Sequence, residues 1–265
     1  MRAKDILKNT VREKLARGEV VSSMTVRMSR GIEIARIART AGFDSIYVDM
    51  EHSSLSLDVT GQICMAALNM GLAAFVRVPA NTPEWIARVL DAGALGVIAP
   101  HVSSAAEARE IVRYARFAPR GDRSVVSNLP HLEYRNFPAA EACEALDDAT
   151  IVMVQLESMA GIDAADDIMA IDGIDMVMVG ANDLAADMGI AGDYDNPRLH
   201  DAFERTMQAC KKHNKHMGIG GLAGRPDLLA KFVAMGARYV SCGTDVGFLI
   251  SAGAAKVREV QALTK

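Results

Sequence analysis

The sequence predicts an α/β fold: a (β/α)8 TIM barrel formed as a single domain over residues 1–265, with an extra N-terminal helix. Three observations carry this. Eight short apolar runs recur along the chain, they alternate with segments of helical periodicity, and several are entered through a glycine-containing turn. Alternating strand and helix signals belong to parallel sheets built of βαβ units. A chain of 265 residues also matches the roughly 250 that a closed barrel uses as one unit. An open, doubly wound sheet is the alternative; the eight countable units favour closure.

Residues 1–19 are amphipathic and charged, with no long apolar stretch, and read as a helix outside the repeat and not as a signal peptide. Strands are expected at 22–28, 45–50, 73–78, 96–100, 150–157, 175–180, 216–220 and 238–243. Between them, Ile32, Ile34, Ala35, Ile37 and Ala38 give one apolar helix face. Pro83 sits near the start of a helix over 84–90, and Ser103 or Ser104 can cap another over 105–117. Turns such as Ala41-Gly42-Phe43-Asp44, Asp91-Ala92-Gly93 and Met235-Gly236-Ala237 let glycine end a helix in the left-handed conformation before the next strand. The intervals from Pro100 to Thr150 and from Gly180 to His216 are long. They place insertions after the fourth and sixth strands, where they are expected to shape the mouth of a site.

Half of the residues are hydrophobic but only 5% are aromatic, which suits short buried strands covered by helices. The net charge of −4 offers no basic face for nucleic acid. The apolar stretch 65–76 is interrupted by Asn69 and is too short to cross a membrane. Cys64, Cys143, Cys210 and Cys242 are too scattered for a zinc pair or a disulfide framework. Together these point to a cytoplasmic protein with a small-molecule partner and neither nucleic acid nor membrane.

Barrel chemistry is carried by residues at the carboxyl ends of strands. After the second strand come Asp49, Glu51 and His52. The third carries Arg77 inside the apolar run Phe75-Val76-Arg77-Val78-Pro79. A guanidinium there needs an anion, either a substrate carboxylate gripped bidentately or Asp49 or Glu51. The fifth strand ends Gln155-Leu156-Glu157, and the sixth runs into Gly180-Ala181-Asn182-Asp183. Glu157 and Asp183 are therefore expected on neighbouring strand ends, where two carboxylates repel unless a cation lies between them. An oxygen-ligated divalent metal supplies that cation, and Mg²⁺, Mn²⁺, Co²⁺ and Zn²⁺ are all allowed. The plain alternative is a helix cap and a surface acid. His52 has the residue type for a general base at neutral pH, with Asp49 or Asp91 to fix its tautomer. Arg123, in the loop after the fourth-strand helix, can reach an anionic substrate. No lysine occurs between Lys14 and Lys211, so the middle strands offer no amine for a Schiff base.

Two other classes stay open on these residues. Gly220-Gly221 and Gly243-Thr244 follow the seventh and eighth strands, where barrels hold phosphate, as a phosphosugar isomerase or epimerase requires. A non-catalytic barrel that binds 2-oxo acids is the third reading. A serine hydrolase is excluded by the absence of a Gly-x-Ser-x-Gly elbow.

The segments Asp49-Met50-Glu51-His52, Val76-Arg77-Val78-Pro79, Asp91-Ala92-Gly93-Ala94, Val154-Gln155-Leu156-Glu157 and Gly180-Ala181-Asn182-Asp183-Leu184, in this order and spacing, resemble the HpcH/HpaI family of class II pyruvate aldolases. The resemblance runs from about Gly18 to Phe248. It implies a metal-dependent aldolase, a carbon–carbon lyase that reversibly cleaves a 4-hydroxy-2-oxo acid to pyruvate, or a close 2-oxo acid, and an aldehyde. It further implies that Glu157 and Asp183 hold the metal, that Arg77 and Gln155 position the pyruvyl group, and that backbone N–H groups of Ala181, Asn182 and Asp183 meet its carboxylate. His52 is implied as the base-side histidine, polarised by Asp49 or Asp91. The resemblance also implies a homohexamer, a trimer of dimers that exchange the C-terminal helix, with Asp91 acting across an interface. The chain departs from the family at Ala181, where the pattern has proline, and in Arg120-Gly121-Asp122-Arg123-Ser124-Val125, which lacks a second glycine. That loop is expected to meet the distal part of the substrate, so the aldehyde, the metal and the stereochemistry at C4 are not fixed by sequence.

Overall fold

Each expected strand forms, with ends within a residue or two of the expectation, and the sheet closes on itself. The structure is a computed structural model that describes residues 1–126 and 128–263; Ser127, Thr264 and Lys265 of the expected 1–265 domain lie outside the described residues. Strands β1 (Val21–Val26), β2 (Ser45–Asp49), β3 (Ala73–Arg77), β4 (Gly96–Ala99), β5 (Ile151–Leu156), β6 (Met176–Gly180), β7 (His216–Gly220) and β8 (Tyr239–Thr244) pair in parallel in chain order, and β8 returns to β1.

The two-residue alternation of a strand sorts the apolar residues into two cores. Val48, Val76, Val152, Val154, Val177 and Ile219 face outward against the helices, and Ile34, Ile63, Ile86, Ile111 and Phe203 complete that layer. Tyr47, Phe75, Met153, Met176, Met178 and Tyr239 fill the inside. Phe75 and Tyr239 meet edge-to-face at 5.7 Å, and the buried Tyr239 hydroxyl donates to Ser23 Oγ at 2.8 Å. The same parity carries each inner column upward to a polar residue: Tyr47 to Asp49, Phe75 to Arg77, Met153 to Gln155 and then Glu157. The barrel thus delivers its site residues by continuing its core pattern two residues further.

The N-terminal expectation of one helix is met by two, α1 (Ala3–Ile6) and α2 (Thr10–Ala16). Asn9 separates them. Its Oδ1 accepts from Val11 and Arg12 N–H and caps α2, while its Nδ2 donates to the carbonyls of Leu95 and Ala149. Ala3, Leu7, Val11 and Leu15 thereby close the amino-terminal end of the barrel.

Helices α3 (Glu33–Ala41), α4 (Leu57–Asn69), α5 (Pro83–Asp91) and α6 (Ala105–Ala115) follow the first four strands. The insertion after β4 differs from the expectation. It comprises the segment 116–138 and helix α7 (Ala139–Ala149), and none of its described residues lines the site cavity. Phe117, Leu129, Leu132 and Leu146 pack with the N-terminal segment under the barrel. Arg116 anchors this arrangement, donating to Asp147, Thr150 and Gly173 carbonyls and to Asp175. The physical reason is polarity of direction: α6 runs back down the barrel, so whatever follows it starts at the bottom.

Helices α8 (Met159–Asp163) and α9 (Ala165–Met169) follow β5; α10 (Ala181–Asp187) and α11 (Pro197–Lys212) follow β6, and α12 (Pro226–Met235) follows β7. The insertion after β6 does border the mouth, through Asn182, whose Oδ1 accepts from the Tyr194 hydroxyl at 2.7 Å. The last helix, α13 (Asp245–Ala262), leaves Leu249, Ile250, Val257 and Val260 exposed. Among the described residues no helix is long and apolar enough to cross a membrane.

Candidate active site

A cavity of about 380 Å³ opens at the carboxyl ends of the strands. His52, Arg77, Gln155, Glu157, Asn182 and Asp183 line it, as the sequence leads one to expect. No lysine lines it among the described residues.

Asp49 and Arg77 are register partners on β2 and β3. Arg77 donates to Asp49 through Nε at 2.9 Å and Nη2 at 2.7 Å, and its Nη1 lies 2.7 Å from Glu51. Both internal pairings weighed for Arg77 are therefore present. They use three of the five guanidinium N–H groups, and Arg77 is among the residues that line the cavity. Asp49 lies wholly buried beneath that wall. Burial pushes its pKa up, but the hydrogen bonds and charge of Arg77, with help from His52 N–H and Arg27, outweigh this and hold it below the usual carboxylate value.

Glu157 is buried, and burial raises its pKa; Asp183 adds to the rise, while His101 and Arg77 oppose it. Its Oε1 accepts from Gln155 Nε2 at 2.8 Å, and its Oε2 accepts from the His101 backbone N–H at 3.0 Å. Gly180 leaves the room this carboxylate needs, since a Cβ there would stand 2.6 Å from Glu157 Oε1. Asp183 sits in the first turn of α10 and is exposed, and Ala181 behind it is buried. Among the described residues no three His, Cys, Asp or Glu converge as a closed cage. The donor set is instead an open one of two mutually repelling carboxylates. Gln155 Oε1 is buried beside them without a hydrogen-bond partner. Two carboxylates with an unpartnered amide oxygen beside them fit a divalent cation with water in its open positions.

His52 lies on the cavity rim, half exposed, with its Nε2 3.8 Å from Glu51. The expected tautomer-fixing contact with Asp49 is absent: Asp49 accepts from the His52 backbone N–H and spends its remaining capacity on guanidinium groups. Arg123 is a further correction, and Asp91 lies away from the cavity of its own chain. Asp91 ends α5, ahead of β4, and so stands at the amino-terminal end of the barrel. Arg123 pairs with it at 2.7 Å, its guanidinium buried against the Phe117 ring. Neither lines the cavity of its own chain, because the loop carrying Arg123 hangs from the lower end of α6 by Arg123 N–H to Arg116 O.

Two site residues are missing from the sequence expectations. His101 stands two residues beyond β4, after Pro100, and adopts a left-handed backbone, φ 54°, which non-glycine residues rarely hold without a compensating constraint. Its ring bridges Glu51, at 2.7 Å from Nε2, and Glu157, at 3.0 Å from Nδ1. Pro100-His101 at a strand end is the signal that finds it. Arg27, one residue beyond β1, lines the cavity and donates from Nε to Asp49 at 2.6 Å.

A sequence model of the HpcH/HpaI aldolase/citrate lyase family matches residues 28–252. The chain is 37% identical over 244 residues to a 4-hydroxy-4-methyl-2-oxoglutarate aldolase of Hapsidospora irregularis, covering 91% of this chain and 90% of that one. It is 33% identical over 249 residues to another aldolase of that name from Chaetomium globosum, covering 92% of each. A crystal structure of an HpcH/HpaI aldolase from Desulfitobacterium hafniense superposes with a TM-score of 0.90 at 28% identity, over 96% of this chain and 97% of that one.

Proposed function

Because the chain belongs to the HpcH/HpaI aldolase/citrate lyase family, we propose that it is a metal-dependent aldolase. It cleaves a 4-hydroxy-2-oxo acid to pyruvate, or a close 2-oxo acid, and a carbonyl compound, and it catalyses the reverse addition. The observation that carries the metal route is the pairing of Glu157 with Asp183 over a cavity that no lysine lines among the described residues. Glu157 and Asp183 would hold Mg²⁺, Mn²⁺, Co²⁺ or Zn²⁺, which when bound supplies Lewis acidity to the 2-oxo group. The names of the two relatives put 4-hydroxy-4-methyl-2-oxoglutarate first among substrates to try.

In cleavage, the C3–C4 bond breaks, C4 becomes a carbonyl as its hydroxyl loses a proton, and the electron pair is held as the enolate of the 2-oxo acid. The remaining N–H groups of Arg77 face the oxygen on which that charge develops, where fixed donors lower the barrier most. Gln155, tied to Glu157, orients the 2-oxo acid. The backbone N–H groups of Ala181, Asn182 and Asp183 receive its carboxylate. His52, on the rim, takes the C4-hydroxyl proton to solvent, and a proton delivered to C3 completes the product.

Exchange of solvent deuterium into the methyl group of pyruvate tests this without a choice of acceptor. Exchange is expected with a divalent metal, lost on chelation and restored on metal add-back. Undiminished exchange in metal-free protein refutes the metal route. Phosphate-competitive binding without a metal requirement supports the isomerase reading, and pyruvate binding with no exchange supports the non-catalytic one.

We also infer a homo-oligomer, a trimer of dimers that exchange α13, from the exposed Leu249, Ile250, Val257 and Val260. In such an assembly Asp91 is available to a neighbour's His52. Sedimentation at micromolar concentration is expected to give a hexamer, and a monomer there refutes the inference. A reducing, cytoplasmic setting fits the four free thiols.

A further inference from the structure

We propose that Arg27 is a specificity-determining residue that binds a carboxylate on the carbonyl fragment, so that the acceptor in the condensation direction is a carboxylate-bearing carbonyl compound and not a neutral aldehyde. This rests on the aldolase reading above. Arg27 tops the inner column Val21, Ser23, Thr25 of β1. Its backbone is pinned: Asp245, itself buried, accepts the N–H groups of Arg27, Met28 and Ser29. Its Nε is pinned as well, donating to Asp49.

Asp49 has no need of a second guanidinium. Arg77 already meets it with two hydrogen bonds, and the N–H groups of Glu51 and His52 add two more. The outer fork of Arg27, formed by Nη1 and Nη2, has no hydrogen-bond partner among the described residues, and the side chain is 38% exposed at the cavity. A guanidinium held by one edge, with the other edge open, is preorganised for bidentate carboxylate binding. Its neighbours on that side of the cavity, Thr25, Ser241 and Thr244, offer hydroxyls and not apolar surface to an alkyl group.

Position supplies the other half. In the closed order β1 to β8, β1 lies across the barrel from β5. Glu157 follows β5, and Asp183 follows its neighbour β6. A substrate whose 2-oxo acid end lies at Glu157 and Asp183 therefore extends its other end towards Arg27. A carboxylate bonded to the carbinol carbon itself, as in the adduct of glyoxylate, then lies on the side of the open fork.

The test compares glyoxylate and glycolaldehyde as acceptors for pyruvate. They differ in carrying a carboxylate or a hydroxymethyl group. Wild-type enzyme is expected to prefer glyoxylate. In Arg27→Met the ratio of kcat/KM values, glyoxylate over glycolaldehyde, is expected to fall at least about tenfold, the effect of one charge-assisted hydrogen bond. Arg27→Lys should retain part of the preference. The ratio cancels general damage to the site, which lowers both terms. If Arg27→Met does not fold, Arg27→Lys and Arg27→Gln are read in the same way. A wild-type ratio near one, or a ratio unchanged by the substitutions, overturns the proposal. Failure of wild-type protein to exchange the pyruvate methyl protons is a different result, because it removes the aldolase reading itself.

Discussion

Glu157→Gln is expected to leave a folded protein that no longer binds its divalent metal and no longer cleaves substrate. The substitution is nearly isosteric, and its neighbours can adapt. Gln155 has an unused Oε1 that can turn to accept from the new amide, and the His101 N–H can donate to the new carbonyl as it now does to Oε2. What disappears is charge. One of two carboxylates in an open donor set becomes neutral, and metal affinity should drop by more than about 100-fold, since losing a mere outer partner of a metal ligand already costs about 10–100-fold. Stability separates this from general damage. Burial, reinforced by Asp183, raises the pKa of Glu157 in the fold. A raised carboxylate pKa means that stability is lost as pH rises from the unfolded value through the folded one. Metal-free Glu157→Gln escapes that loss and should be at least as stable as metal-free wild type at neutral pH. Added metal should then raise the melting temperature of wild type only. Thermal melts with EDTA and with Mn²⁺, beside equilibrium dialysis, read both effects. Wild-type metal affinity in the variant would end the assignment of Glu157 as a ligand.

The barrel was legible because strand and helix periodicities alternate eight times, and each strand end could be placed within a residue or two. Much of the site was legible for the same reason. Asp49, Arg77 and Gln155 are polar residues interrupting apolar runs, and a polar residue in such a run needs an explanation. Arg27 escapes that search although it lies inside the expected strand 22–28, because Ser22, Ser23 and Thr25 already make that run half polar and an arginine does not stand out in it. Only the inward parity of Val21, Ser23 and Thr25 marks it. His101 escapes because its role depends on a left-handed turn and on carboxylates from two other strands, neither of which local sequence encodes. Arg123 misleads in the opposite direction. Its loop lies close in sequence to the end of β4, yet α6 intervenes and carries it to the other end of the barrel, where Asp91 takes up its charge.

The second large effect belongs to Arg77→Met, in which one side chain serves fold and chemistry together. Removing the guanidinium takes two hydrogen bonds from Asp49, which is wholly buried, and the ion-pair partner from Glu51. Leaving a buried charge without its partner costs about 3–5 kcal/mol. Arg27 and two backbone N–H groups remain on Asp49, so the lower end of that range is expected. The pH dependence carries the signature. In wild type Asp49 has a lowered pKa, so its stabilising contribution is present above the unfolded value of about 3.9 and is lost as pH falls through the lower folded one. Without Arg77, burial is the largest influence left and pushes the pKa the other way. The difference in stability between wild type and variant should therefore be widest near pH 7 and narrow in acid. Urea denaturation at neutral and mildly acidic pH measures it, and a deficit that is small or constant with pH contradicts the assignment. Asp49→Asn added to Arg77→Met should recover part of the stability, because the orphaned charge is gone, yet none of the activity. The kcat/KM of either variant should stay at least about 30-fold below wild type, the effect of about 2 kcal/mol lost from the transition state. Stability that returns while catalysis does not is the result that distinguishes a guanidinium acting on the developing enolate from one that only neutralises Asp49.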